Sequence, residues 1–259
     1  MFSQPLPQSN LGMVNDKAGS LTIEVAGDLY EIRQSLGLLN SANSEGTTGA
    51  ALWKISPCMA EWLADCGNVL WKHGLMSKEC TIIELGCGIA GLIGLVVSKL
   101  VSTYILTDQR SVLKLLQENI TTNMPLAPTR GKSFKQSGSS SASNKALHAI
   151  ELNWEMDELN VLDEVLQADQ VVDMVVVCDC VFNDFLLQPL VNTLATICSR
   201  RVDRGTCVVI AQQLRSDQVF TAFLQILMSN FDVWRVTDSH LPESLWSSTG
   251  YAIHIATLR

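Results

Sequence analysis

Apolar positions along the chain switch between a two-residue period and a three-to-four-residue period, which predicts alternating strands and helices. From Leu21 to Val25 apolar and polar residues alternate, Gly27-Asp28 supplies a turn, and Leu29 to Ile32 resume the alternation. That is the pattern of a short hairpin. A loop over residues 37–49 leads to a helix starting near Ser56-Pro57, with Met59, Trp62, Leu63, Cys66, Val69 and Leu70 on one face. A regular series follows: strand Thr81 to Leu85, helix Ala90 to Leu100, strand Tyr104 to Thr107 and helix Ser111 to Ile120. It resumes with strand Ala146 to Leu152, a short helix from Leu162 to Leu166, strand Met174 to Cys178 and helix Leu186 to Cys198. Strand Thr206 to Ala211, helix Gln218 to Met228, and strands Phe231 to Val236 and Tyr251 to Thr257 complete it. Strand–helix alternation means a mostly parallel sheet covered on both faces, and the run Met174 to Cys178 is apolar enough for its centre. The last two strands have no full helix between them, which predicts an antiparallel pair.

Two stretches break the pattern. Residues 1–19 are polar and rich in Pro, Ser, Asn and Gly, the composition of a flexible tail. Residues 126–145 hold a Ser-rich run and four basic residues, the composition of a flexible surface insertion. The remainder, residues 20–259, reads as a single domain, with the hairpin and its loop over 20–48. A length of 259 residues suits one large α/β domain, and 47% hydrophobic against 17% charged residues supplies a sizeable core.

Charge and cysteine usage narrow the function classes. The net charge of −8 argues against a nucleic-acid groove as the main working surface and favours basic protein partners. No apolar run reaches the length of a membrane span, because Lys99 interrupts Leu92 to Val101, and the first residues lack the pattern of a secretory signal. The eight cysteines sit mostly in apolar segments with no Cys-x-x-Cys pair, so they are expected as reduced thiols in a cytoplasmic or nuclear protein. His73, His148, His240 and His254 pair with no cysteine at ligand spacing, so no metal site is expected.

In an open parallel sheet, ligands bind at the carboxyl ends of the strands. After the first strand of the alternating series comes Glu84-Leu-Gly86-Cys87-Gly88-Ile-Ala-Gly91. These glycines allow a tight turn and let a ligand approach the backbone where the next helix begins. The following strand ends at Asp108, placed to accept both hydroxyls of a ribose, so the constellation points to a nucleoside-bearing cofactor. Glu84 favours S-adenosylmethionine over a dinucleotide, since a pyrophosphate has no use for a carboxylate there. The terminal antiparallel strand pair points the same way.

At these residues the chain resembles the seven-strand lysine methyltransferases, the group containing the valosin-containing-protein and chaperone methyltransferases, and within it the fungal ribosomal branch. The resemblance runs from about Leu21 to the C-terminus outside the Ser-rich insertion. It is carried by Thr47-Thr-Gly-Ala-Ala-Leu-Trp53, Glu84-Leu-Gly-Cys-Gly, Thr107-Asp-Gln, Leu152-Asn-Trp154-Glu and Cys178-Asp-Cys-Val-Phe182-Asn. It implies a Rossmann-like seven-stranded class I methyltransferase fold with an antiparallel terminal strand pair and an N-terminal hairpin extension. It further implies S-adenosyl-L-methionine as cofactor and a protein lysine as acceptor, on a large-subunit ribosomal protein, with neither membrane nor direct nucleic-acid binding.

Carried over by position, Trp53 lies over the methionine portion of the cofactor, with Gly86, Cys87 and Gly88 along its side. Asp108 holds the ribose, Trp154 borders the adenine and Cys178 contacts the cofactor through its backbone. Asp179 orients the substrate lysine. Phe182 stands where the family has tyrosine, which removes a hydroxyl from the substrate side.

Other readings of the same residues remain open. Trp53 and Trp154 are compatible with core aromatics, Asp179 with a helix N-cap, and Cys87, Cys178 and Cys180 with small packing residues. Trp62 and Trp71 read as helix packing residues, and Arg200, Arg201 and Arg204 as a solvated helix end. Methylation of a small molecule or nucleic acid is the rival enzyme class, weakened by the absence of an Asn-Pro-Pro-Tyr motif after the fourth strand. A non-catalytic cofactor-binding assembly factor is the rival outside enzymes, and Phe182 is the residue that favours it.

Overall fold

The computed structural model describes residues 12–35, 37, 47–124, 146–156, 159–166, 170–201 and 205–259. The expected insertion over 126–145, the first part of the expected tail, most of the 37–49 loop and Arg204 lie outside the described residues. An N-terminal hairpin, β1 (Ser20–Val25) and β2 (Asp28–Arg33), precedes helix α1 (Ile55–Ala64) and the single turn α2 (Val69–Lys72). The alternating series comprises β3 (Thr81–Leu85), α3 (Leu92–Val97), β4 (Thr103–Asp108), α4 (Arg110–Asn123) and β5 (Ala146–Glu151). It continues with β6 (Met174–Cys178), α5 (Asp184–Ser199), β7 (Cys207–Gln213), α6 (Asp217–Asn230), β8 (Phe231–Arg235) and β9 (Tyr251–Leu258).

Seven strands form one sheet in the order β5-β4-β3-β6-β7-β9-β8. All neighbours from β5 to β7 are parallel, and β9 runs antiparallel between β7 and β8. This is the class I methyltransferase arrangement, with the expected antiparallel pair at its end. Strands β3 and β6 are buried along their whole length because both sheet faces are covered. Their side chains alternate accordingly. Ile82, Met174 and Val176 join the core under α1, α3 and α4, while Ile83, Leu85, Val175 and Val177 join the core under α5 and α6.

The hairpin turns on Ala26 and Gly27, both at positive φ, rather than on Gly27-Asp28. Two left-handed residues match the twist of a two-residue hairpin. Side chains of α4 then satisfy the outer strand: Asn119 Oδ1 accepts from Arg33 N at 2.9 Å and Asn123 Oδ1 from Glu31 N at 2.8 Å.

Several expectations need correction. Residues 12–19 of the expected tail are part of the fold, since Lys54 N donates to the Gly12 carbonyl, Val14 N to the Leu52 carbonyl, and Met13 bridges Trp53. Helix α1 stops at Ala64, and Cys66 is exposed rather than on the buried face. The expected helix at 162–166 is a 3-10 turn, Leu159–Glu164. Arg201 is not solvated: its side chain is 7% exposed and paired with Asp173, which also accepts from Thr81 N. Arg200 bridges to Asp163. Among the described residues no helix is long and apolar enough to cross a membrane.

Candidate active site

The sheet reverses its order at β3: the chain moves outward through β4 and β5, then returns to lay β6 on the other side of β3. Carboxyl ends diverge there and leave a crevice. A cavity of about 320 Å³ occupies it, within the range of small-ligand sites. Trp53, Glu84, Gly86, Cys87, Gly88, Asp108, Trp154, Cys178, Asp179 and Phe182 all line this one cavity.

The floor is the turn after β3. Gly86 and Gly88 have φ of +68° and +64°, which only glycine adopts without strain. A Cβ on Gly86 would stand 2.8 Å from Cys180 Sγ and 3.2 Å from the Trp154 ring. The glycine therefore lets the Trp154 ring and the end of β6 close on the turn. Trp154 is half-buried and reaches the cavity from the segment after β5. Trp53 faces it from the segment before α1, its indole Nε1 donating to the Thr48 carbonyl at 3.0 Å. Both rings also pack against the cores, so packing and cavity lining are one arrangement here.

Two carboxyl groups sit on the β3–β4 side. Asp108 Oδ2 accepts from Gly88 N and Oδ1 from Gln109 N, each at 2.7 Å, leaving a further lone pair on each oxygen. Burial pushes this carboxyl up to about 6, against the two backbone N–H groups that lower it. Glu84 is 2% exposed and accepts from Tyr104 Oη at 2.8 Å. Burial raises it to about 7, with Asp108 adding to the rise and the Tyr104 hydroxyl opposing it. Burial also holds Cys87, Cys178 and Cys180 well above the ordinary thiol range, so all three are neutral packing groups at physiological pH.

The β6 side carries the main surprise. Asp179 has φ +61°, a left-handed turn that directs its carboxylate along the end of the sheet. It is not a helix cap; Asn183 caps α5 by accepting from Phe185 N. Asp179 Oδ1 accepts from Gln212 Nε2, Gln213 N and Arg215 Nη1 at 3.0, 3.2 and 2.8 Å. Its Oδ2 accepts from Arg215 Nη2 at 2.6 Å. The same guanidinium lies 4.9 Å from the centre of the Trp53 ring. Phe182 is 39% exposed at the mouth.

Met13, Ser56 and Arg215, which also line the cavity, and Gln212, which holds Asp179, were not singled out from the sequence as site residues. Arg215 follows the end of β7, so the strand-end rule that found Asp108 and Asp179 reaches it as well. Met13 carried no signal, because nothing in its local pattern shows that residues 12–14 fold back on Trp53.

The sequence model of the lysine methyltransferase family matches residues 33–230. Ribosomal lysine N-methyltransferase 5 of Zygosaccharomyces rouxii is 30% identical over 83% of this chain and 76% of its own length. A diaminohydroxyphosphoribosylamino-pyrimidine deaminase of Schizosaccharomyces pombe is 28% identical over 87% of this chain, a match spanning 48% of that longer protein. Among solved structures, human N-acetylserotonin methyltransferase in complex with SAM is similar with a TM-score of 0.48 and 12% identity. That match covers 82% of this chain and 55% of the other.

Proposed function

Since the chain belongs to the lysine methyltransferase family, we propose that its crevice carries methyl transfer to a lysine of a large-subunit ribosomal protein. The enzyme is an S-adenosylmethionine-dependent protein-lysine methyltransferase; the individual residue roles and the ribosomal target are the proposal. The observation that carries it is the convergence of the Asp108 carboxylate, the Gly86–Gly88 turn, the Trp154 ring and the Asp179 carboxylate on one cavity of about 320 Å³.

These residues fit the cofactor. The free lone pairs of Asp108 suit two vicinal ribose hydroxyls, and the flat Trp154 ring suits an adenine. Glu84, buried at the floor, suits the cationic amino end of a methionine. Cys87 and Cys178 would flank it as neutral thiols, with the Cys178 backbone toward the ligand. When bound, S-adenosylmethionine supplies a methyl group on a positively charged sulfur, whose S–C electron pair stays behind as the N–C bond forms.

The protein's task is then to deliver a neutral amine in line at about 3 Å and to keep water away. Lysine has a reference pKa of about 10.4, so its neutral form is scarce at pH 7. Apolar walls from Phe182 and Leu186 disfavour the charged form of the bound amine. Asp179 aligns the amine by accepting an N–H. Phe182 in place of tyrosine makes the entrance more apolar and leaves this chemistry intact. The ribosomal part of the proposal rests on the name of the yeast relative and on net charge, since a −8 protein suits a basic target.

The test is transfer of a labelled methyl group to proteins extracted from large ribosomal subunits, with Asp108→Ala as control. Label in one large-subunit protein, lost when its target lysine becomes arginine, is expected. No label in any large-subunit protein, or label that persists after the target lysine becomes arginine, would refute the proposed target.

A further inference from the structure

Asp179 accepts three hydrogen bonds on Oδ1 and one, from Arg215, on Oδ2, which leaves a lone pair on Oδ2. A lysine ammonium reaching that oxygen meets the Arg215 guanidinium, a like charge, and competes with it for the carboxylate. The three partners differ in what they do. Gln212 Nε2 and Gln213 N hold Oδ1 beside Arg215 Nη1 and fix the carboxylate in orientation; among the described residues Arg215 alone occupies Oδ2. The Asp179 side chain is 3% exposed, whereas the Arg215 side chain is 29% exposed and stands on the cavity wall.

Resting on the lysine methyltransferase reading of this site, we infer that Arg215 is a specificity-determining residue. It holds the place of the substrate's lysine cation on Asp179 and yields it when that lysine enters. Its present contacts are those an incoming ammonium needs: a bidentate carboxylate and the face of an aromatic ring, Trp53. The guanidinium also has somewhere to go. Its Nη2 also donates to Gln213 Oε1 at 2.8 Å, an anchor that does not depend on Asp179.

Docking exchanges a cation for a cation, so the buried carboxylate keeps a charged partner as the lysine enters. After docking, the ammonium releases one proton to solvent, and the neutral amine keeps one N–H on Oδ2, which points its lone pair into the cavity. A side chain without a positive charge, such as serine or glutamine, gains nothing from displacing Arg215, because doing so strands Asp179. Selection among nucleophiles thus follows from the paired state of the free enzyme, with discrimination of roughly hundredfold or more.

The experiment uses the full-length enzyme, labelled S-adenosylmethionine and large-subunit ribosomal protein extract, with cofactor affinity read by calorimetry. Arg215→Met leaves Oδ2 vacant, so the half-saturating extract concentration falls about tenfold and kcat/KM rises by the same factor. Arg215→Lys, a displaceable cation with one bond in place of two, falls between Met and wild type. Cofactor affinity within twofold of wild type establishes that a variant is folded. Transfer by wild type with a reduced maximal rate and unchanged half-saturation in both variants would make Arg215 a permanent partner of Asp179, overturning this inference alone. No transfer to lysine by wild type would overturn the reading on which it rests.

Discussion

Glu84→Gln separates the cost of burying a charge from the use made of it. Glu84 is 2% exposed, and burial raises its carboxyl from 4.5 to about 7. At about 1.4 kcal/mol per pH unit, that rise is roughly 3 kcal/mol of preference for the neutral form in the folded protein. The sign follows from linkage. Below pH 4.5 the carboxyl is protonated in both states and costs nothing. Between 4.5 and 7 the unfolded chain loses the proton and the folded chain keeps it, so wild type loses stability as pH rises, and above 7 the loss is constant. Glutamine keeps an acceptor for Tyr104 Oη but turns an N–H₂ toward the Gly94 backbone N–H that the carboxylate met, at about 1 kcal/mol independent of pH. The diagnostic is therefore the pH dependence. Between pH 5 and pH 8 the melting temperature of Glu84→Gln should rise relative to wild type by about 5–10 °C, at ~2–4 °C per kcal/mol for a domain of this size. Thermal unfolding by circular dichroism across that range measures it. A constant difference between the two proteins at every pH would refute the reasoning. If Glu84 meets the cationic end of the cofactor, the same variant binds S-adenosylmethionine more weakly while being more stable at pH 8.

Asp108→Ala removes the proposed ribose contact and should weaken cofactor binding by roughly 10- to 100-fold by calorimetry, the worth of hydrogen bonds to a charged group. Gly86→Val forces a side chain onto φ +68° and against Cys180 and Trp154. It should lose about 2 kcal/mol or more of stability in urea unfolding and abolish cofactor binding. Arg201→Met leaves the partly buried Asp173 without its ion pair; a loss of about 3 kcal/mol is expected, with cofactor affinity of the folded protein unchanged.

The fold was legible wherever periodicity had a physical cause. A strand buried on both faces must be apolar throughout, so Met174–Cys178 announced itself as the sheet centre. The alternating residues of β1 and β2 likewise announced a half-covered hairpin. Boundaries failed where local chemistry competes: residues 65–68 interrupt the helix before Val69, and Asn68 starts a new turn by accepting from Leu70 N and Trp71 N. Glu84, Gly86 and Asp108 could be singled out as cavity residues because strand ends are few and chemistry-bearing residues at them fewer, whereas Trp53, Trp154 and Phe182 came with the family resemblance. What the sequence concealed is pairing across distance. Asp179 and Arg215 are 36 residues apart and leave different strands, so no spacing rule links them. The burial of Arg201 was hidden for the same reason, since its partner Asp173 stands at the start of β6 while Arg201 follows the end of α5.

The central claim is that this cavity transfers a methyl group to the side-chain nitrogen of a lysine. Its most direct test is one turnover of the purified enzyme with radiolabelled S-adenosylmethionine and large-subunit proteins, then complete acid hydrolysis and separation of the amino acids. The account predicts label in Nε-methylated lysine with wild type and at least tenfold less with Asp108→Ala. Label in any other methylated amino acid, or equal label with the two enzymes, would contradict it.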